Sequence, residues 1–145
     1  MTIKKIGDVM NRNVHTVDPT ATAKYAADLM RALGVSVLPV CEGKKILGVL
    51  TDREMTVHIV AVGRDPATTL VKDIMSPSPA VLSQDKTLKA AERMMEEKET
   101  RWVFATDADG NLAGMVSLGK VARADNDKAA GKVVREISRG RKRVG

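Results

Sequence analysis

Apolar residues recur at three- and four-residue spacing from Thr22 to Leu33, where Ala23, Ala26, Met30 and Leu33 share one side. They do so again from Thr87 to Lys98, through Leu88, Ala91, Met94 and Met95. That period predicts two amphipathic helices, the first stopped by Gly34. Four aliphatic runs flank them: Val35 to Val40, Ile46 to Thr51, Arg101 to Thr106 and Asn111 to Ser117. These predict two pairs of strands, turning at Gly43 and at Asp109-Gly110. Val14 to Val17, cut off by Asp18-Pro19, and Val81-Leu82 predict two further short strands. A helix is expected from Asp52 to about Val62, and a weaker one from Leu118 to Asp125. Gly63 to Leu70 reads as a linker, and Asn126 onward as a polar extension, helical no further than Ser138.

The pattern repeats. Asp8-Val9-Met10 matches Asp73-Ile74-Met75, and Leu29-Met30 matches Met94-Met95, both at an offset of 65 positions. Gly48-Val49-Leu50-Thr51 then matches Gly114-Met115-Val116-Ser117 at an offset of 66. The extra residue falls in the second hairpin turn, where a loop tolerates it. Each copy orders its elements strand, helix, strand, strand, helix. The expected class is therefore α/β (α+β), two βαββα repeats packed with pseudo-twofold symmetry and sheets covered by helices. Residues 1–65 form the first repeat, 66–125 the second and 126–145 a basic extension. About 60 residues alone bury too little apolar surface, so such halves are expected to share a core.

Composition narrows the picture. Of 145 residues 43% are hydrophobic but only 2% aromatic, so the core must be aliphatic, with eight methionines as filler. The net charge of +6 suggests nucleic acid until it is located: six basic residues against Glu136 place +5 of it in residues 132–145. A nearly neutral body offers no broad phosphate-binding face, so a nucleic acid is disfavoured as partner. No apolar run reaches the roughly 18 residues of a membrane span, and MTIKKIGDVM lacks a signal-peptide core. A single cysteine, Cys41, makes no internal disulfide. A cytoplasmic protein is expected.

Candidate chemistry mostly dissolves on inspection. Gly114 to Lys120 fits the start of a phosphate-binding loop, but Val121 stands where Ser or Thr must bind magnesium, and the first glycine lies in a strand. Asp107-x-Asp109-x-Asn111 opens like a calcium loop, yet Leu112 and Leu118 occupy its glycine and glutamate positions. His15, His58 and Cys41 lack ligand spacing, so no metal site is expected. No nucleophile–base set or paired carboxylates can be read. The chain does not read as an enzyme.

In combination, VMNRNVHTVDPTAT, GVSVLPV and LGVLTDRE, followed by DIM, TRWVFATD and AGMVSLGK, resemble a tandem pair of CBS domains, a Bateman module, over about residues 3–125. The resemblance implies a sensor that binds an adenine-containing ligand (AMP, ADP, ATP, NAD or S-adenosylmethionine) in clefts between repeats. In the family pattern a hydroxyl residue and an acid three positions later hold phosphate and ribose, and backbone of the other repeat holds adenine. Thr51 takes the hydroxyl position and Glu54 the acidic one, with Arg53 between them. An ionised carboxylate is acceptor-only and has room for both ribose hydroxyls. Thr51 also opens a helix, whose N-terminus favours an anion.

The second copy keeps the hydroxyl as Ser117 but puts Lys120 where the acid should be. Lys donates and cannot accept, so it suits a phosphate better than a ribose. The better adenosine pocket is therefore expected around Thr51 and Glu54, walled by Arg101, Trp102 and Val103; the other would use Val37, Leu38 and Pro39 with Ser117 and Lys120. Arg101 aligns with Ser36, a position where some relatives set a basic side chain on phosphate. Phe104 replaces the residue matching Pro39, which leaves the local backbone path open. Trp102 either stacks on a base or fills the core. Thr51-Asp-Arg-Glu54 alternatively reads as a capping box, a role compatible with ligand contact.

The leading expectation is a non-enzymatic regulatory module working as a homodimer, with the Met94-Met95 face compatible with pairing, and passing ligand binding to an effector protein. Two rivals stand beside it. One is a nucleic-acid-associated protein acting through SRGRKRVG, and the other a ligand-free scaffold with pockets plugged by Trp102 and Lys120.

Overall fold

The computed structural model of the chain describes residues 4–125. The extension and basic tail that begin at Asn126 lie outside the described residues. Two compact units emerge, and they cut across the sequence repeats: one is His15–Pro79, the other joins the described residues up to Val14 to those from Ala80 onward.

In the His15–Pro79 unit, helix α2 (Ala23–Leu33) starts where the Thr22 hydroxyl accepts from the Tyr25 N–H. It ends at Gly34, whose φ of 66° is the left-handed turn glycine supplies without steric cost. Strands β1 (Val37–Glu42) and β2 (Lys45–Thr51) run antiparallel, with Val37 opposite Thr51 and Glu42 opposite Lys45. Ala23, Ala26 and Met30 of α2 bury against Leu38, Val40, Leu50, Ile59, Val71 and Ile74. Each large aliphatic side chain so buried contributes about 1.5–3 kcal/mol.

The second unit repeats the design. Helix α4 (Leu88–Lys98) is capped by Thr87, whose hydroxyl accepts from the Ala90 N–H. It closes on Glu99 in the left-handed region at φ 51°, a position its counterpart gives to glycine. Its sheet has three strands in the order β3 (Val81–Ser83), β4 (Trp102–Thr106), β5 (Leu112–Ser117), with β3 parallel to β4 and β5 antiparallel. Leu88, Ala91 and Met95 pack with Val103, Ala105, Val116, Leu118 and Val121.

The strand expected over Val14 to Val17 is a single parallel bridge from Val17 to Val40. Its cause is Pro39. In the second unit the Phe104 N–H donates to the Ala80 carbonyl at 2.8 Å and sustains strand β3. Pro39 at the matching position has no N–H to give, so only its carbonyl is used, accepting from Val17 at 3.0 Å. The substitution at Phe104 completes a strand.

Two short elements have no counterpart in the sequence reading: helix α1 (Ile6–Val9) and a 3₁₀ turn over Val71–Asp73. They are the two Asp-x-Met motifs, and each docks in the same manner. Ile6 and Gly7 donate to the carbonyls of Lys86 and Gln84, while Val71 and Lys72 donate to those of Ala21 and Pro19. Met10 thus belongs to the core of the second unit, and Ile74 to that of the first, with Met75 packed against it. Among the described residues no helix is long and apolar enough to cross a membrane.

Candidate functional site

The strand–helix junction that carries Thr51 and Glu54 is built by backbone pairing. Asp52 N–H donates to the Ser36 carbonyl at 3.1 Å, and Leu118 N–H donates to the Arg101 carbonyl at 2.7 Å in the other unit. The two junctions, and the Ser36–Arg101 correspondence, are therefore equivalent at the backbone. They differ in what the side chains do next.

After Thr51 the chain makes one α-helical turn, α3 (Asp52–Met55), and widens into a π-helical turn over Thr56–Val60, where the Ala61 N–H reaches back to the Thr56 carbonyl at 2.9 Å. Such turns are rare and concentrate at functional sites. Only Ile59 of the widened turn enters the core. Val57 and His58 are left to line a groove of about 390 Å³ together with Arg53, Glu54, Ile74, Met75, Ser76 and Pro77. Ser76 is fixed there by a two-way backbone exchange with Val49.

Glu54 is half-buried in this groove, and the Thr51 hydroxyl donates to its Oε2. Thr51 itself is 9% exposed and is not among the groove's lining residues. The capping-box reading of Thr51 does not hold: its side chain caps no backbone N–H because its hydroxyl points to the carboxylate. The cap appears in the other repeat, where the Ser117 hydroxyl accepts from the Lys120 N–H at 3.2 Å.

Of the eleven residues singled out from sequence, Thr51, Arg53, Glu54, Val37, Leu38 and Pro39 lie in the His15–Pro79 unit, and Arg101, Trp102, Val103, Ser117 and Lys120 in the other. Val37 faces Thr51 across the β1–β2 pair, and Trp102 faces Ser117 across β4–β5. Leu38 and Val103 are core residues of their units, and Pro39 is buried. Arg101, Ser117 and Lys120 are exposed, and Trp102 is half-buried. Met95 is wholly buried, while Met94 packs against the same core and stays partly exposed.

Sequence reasoning missed Val57, His58 and the Ile74–Pro77 wall. His58 was recoverable, because it stands four residues after Glu54 on one helix face. Ile74 and Met75 stand in the sequence repeat, which by itself does not mark them as part of a site.

Other candidates resolve plainly. Gly114 to Ser117 lies in β5 and Gly119 in α5 (Leu118–Asp125), so there is no phosphate loop. The Asp107 carboxylate accepts from Asp109 and Asn111 N–H at 2.9 and 3.0 Å, which makes that segment a hairpin turn. Among the described residues no group of three or more His, Cys, Asp or Glu is gathered for a metal. Burial pushes the Cys41 thiol up to about 11, far from the range of a reactive thiolate.

Fold and junctions define a two-unit α/β module in which each unit presents a hydroxyl at a strand–helix turn. The CBS-domain profile matches residues 6–61 and 71–127, and the chain belongs to that family, with two CBS domains in tandem. It is similar to the CBS domain-containing protein YhcV of Bacillus subtilis, 32% identical over 137 residues covering 94% of this chain and 96% of that one. It is similar also to MK0525 of Methanopyrus kandleri, 31% identical over 83% of this chain and 62% of that one; the chain thus spans less than two thirds of that relative's length. The solved structure of CBSX2 from Arabidopsis thaliana in complex with AMP matches with a TM-score of 0.72 and 29% identity, over 84% of this chain and 96% of that one.

Proposed function

We propose that the chain is a regulatory sensor module that binds an adenine-containing nucleotide, with Glu54 receiving the ribose hydroxyls. The observation that carries this reading is the groove around Glu54: an acceptor-only carboxylate, already held by a hydroxyl, opening on a cavity with Arg53 and His58 beside it. An acid next to cationic or N–H-donating groups suits a ligand that has hydroxyls at one place and phosphate at another. The AMP complex of CBSX2 supports the ligand class. A nucleotide bound here bridges the π-helical turn and the Ile74–Pro77 segment, and so couples occupancy to the packing of that segment. A homodimer, an effector protein as reader and a cytoplasmic setting belong to the same proposal.

The test is a thermal-shift titration with AMP, ATP, NAD and S-adenosylmethionine on the wild type and on Glu54→Ala. A ligand bound only to the folded state at a hundredfold excess over its dissociation constant adds about 2.7 kcal/mol. A ligand-specific rise that is lost in Glu54→Ala is expected. A rise untouched by the substitution moves the site to the Ser117–Lys120 junction. No rise with any of the four ligands refutes the sensor reading.

A further inference from the structure

Summed over the body the charge is close to neutral, but helix α4 divides it. Its first half carries Lys89 and Arg93, exposed and four residues apart, with Lys86 just before it. Glu96, Glu97 and Glu99, with Lys98 among them, follow towards its end. A helix dipole favours the opposite order, acid at the start and base at the end. Like charges four residues apart repel as well. The arrangement thus weakens the helix that carries it and points to a use outside the fold. The N-terminal segment adds to the same place. Lys5 pairs with Thr87, and the Lys4 carbonyl accepts from the Leu88 N–H at 3.2 Å. The Lys4 ammonium then reaches the Ala124 carbonyl at 2.7 Å, beside the exposed Arg123. Asp8, Asp85 and Asp125 stand near these cations in the chain, and Glu92 is buried. Directly after Asp125 the chain runs on into the segment whose residues 132–145 carry +5.

We propose that the start of α4, the N-terminal segment and the basic tail form one surface for the phosphate backbone of duplex nucleic acid. All of it belongs to the unit that begins again at Ala80, and it needs no part of the nucleotide reading, which rests on Glu54 in the other unit. Four of the tail's cations are arginines, Arg135, Arg139, Arg141 and Arg143, whose planar fork matches phosphate. Residues 126–145, fully extended, span roughly 70 Å, the length of about 20 base pairs. A membrane is a poorer fit. The large hydrophobic side chains exposed among the described residues, Val60 at 75% foremost, all lie in the other unit, and the tail has no Trp, Phe, Tyr or Leu. Single strands are a poorer fit too, because they are held by stacking on aromatic faces. Among the described residues of this unit the aromatics are Trp102, half-buried, and Phe104, buried.

Fluorescence anisotropy of a labelled random-sequence duplex of about 20 base pairs, titrated with the full chain at several salt concentrations from about 50 mM upward, tests the surface. The wild type should bind, with an affinity that falls steeply and linearly on a log–log plot against salt. The triple variant Lys86→Gln, Lys89→Gln, Arg93→Gln should lower that slope by about one for each cation removed, and removal of residues 132–145 should lower it further. The control is Lys44→Gln, Arg64→Gln, Lys72→Gln, an equal change of charge at exposed positions of the other unit. It should keep the wild-type slope, and thermal midpoints verify that all variants fold. A slope unchanged in either the α4 variant or the truncated chain overturns the shared surface. So does a control that loses as much as the α4 variant. Absence of duplex binding at the lowest salt, or tighter binding of the matching single strand, overturns the duplex assignment. Capture by phosphatidylserine vesicles in place of the duplex would give the surface to a membrane and overturn it equally.

Discussion

Val49 and Ser76 exchange both of their backbone hydrogen bonds, each at 2.9 Å, and Asn11 and Met115 do the same at 2.8 and 2.9 Å. The residue before each acceptor strand position is a glycine, Gly48 or Gly114, and its hydrogen faces the crossing segment. A Cβ on Gly48 would stand 2.6 Å from the Ser76 carbonyl oxygen and 2.8 Å from the Met75 sulfur. On Gly114 it would stand 2.7 Å from the Met10 sulfur and 2.8 Å from the Asn11 carbonyl oxygen. The Asp-x-Met motif of one repeat and the glycine of the other are thus two halves of a single contact.

Gly48→Ala and Gly114→Ala should therefore each destabilise the protein by about 1–3 kcal/mol, the usual cost of overpacking against backbone that cannot retreat. Gly7→Ala is the control, since its Cβ meets the Gln84 carbonyl oxygen only at 3.3 Å. Urea denaturation of the three variants checks the order. A Gly48→Ala loss no larger than that of Gly7→Ala would show that the crossing segment is free to shift.

Phe104 is fully buried and lies in the middle strand of its sheet. Phe104→Ala should cost about 3–5 kcal/mol, by lost burial and the cavity left behind. Chemical denaturation measures it directly. A loss below about 2 kcal/mol would mean that the neighbouring side chains collapse into the space.

Cys41 is 3% exposed, and burial raises its thiol from an ordinary 9.0 to about 11. The folded state keeps this proton longer than the unfolded chain does. The associated stability is complete below pH 9 and is lost as pH rises toward 11. Reaction with a disulfide reagent at pH 8 should accordingly be slow in the native protein and fast in urea. Rapid native labelling would contradict the burial.

Two exposed carboxylates are held below the usual 3.8. The Thr20 hydroxyl and N–H both donate to Asp18, and Lys24 donates to Asp28 at 2.8 Å with Arg31 nearby. Because the folded state favours the ionised forms, their contribution is present above pH 3.8 and is lost as pH falls through the lowered values. Carboxyl titration followed by NMR should place both midpoints under 3.8, and Thr20→Ala should return Asp18 toward it. An unchanged Asp18 midpoint in Thr20→Ala would assign the depression to something other than these two bonds.

Much of this molecule was legible in the order of its residues. Local periodicity sets α2 and α4, because a 3.6-residue period places Ala23, Ala26 and Met30, or Leu88, Ala91 and Met95, on one side. Thr22, Thr87 and Gly34 mark the ends, since caps act on the nearest backbone N–H and carbonyl groups. The offset of 65 between Asp-x-Met motifs disclosed the tandem pair, and the residues around Thr51 and Glu54 disclosed the family.

What the sequence could not carry was decided by contacts between distant segments. That Met75 packs over Gly48, and Met10 over Gly114, depends on which repeat each motif docks against, and identical motifs do not say. The loss of one strand at Pro39 and its survival at Phe104 depend on a single N–H that matters only once a parallel neighbour arrives to accept it. The bond from Thr51 to Glu54, rather than to a backbone N–H, depends on how the chain leaves β2, and the widened turn after Met55 then brings His58 to the wall formed by Ile74 to Pro77. Periodicity and capping act over a few residues and are written locally. Register, crossing and side-chain orientation are settled by packing, and packing belongs to the tertiary structure alone.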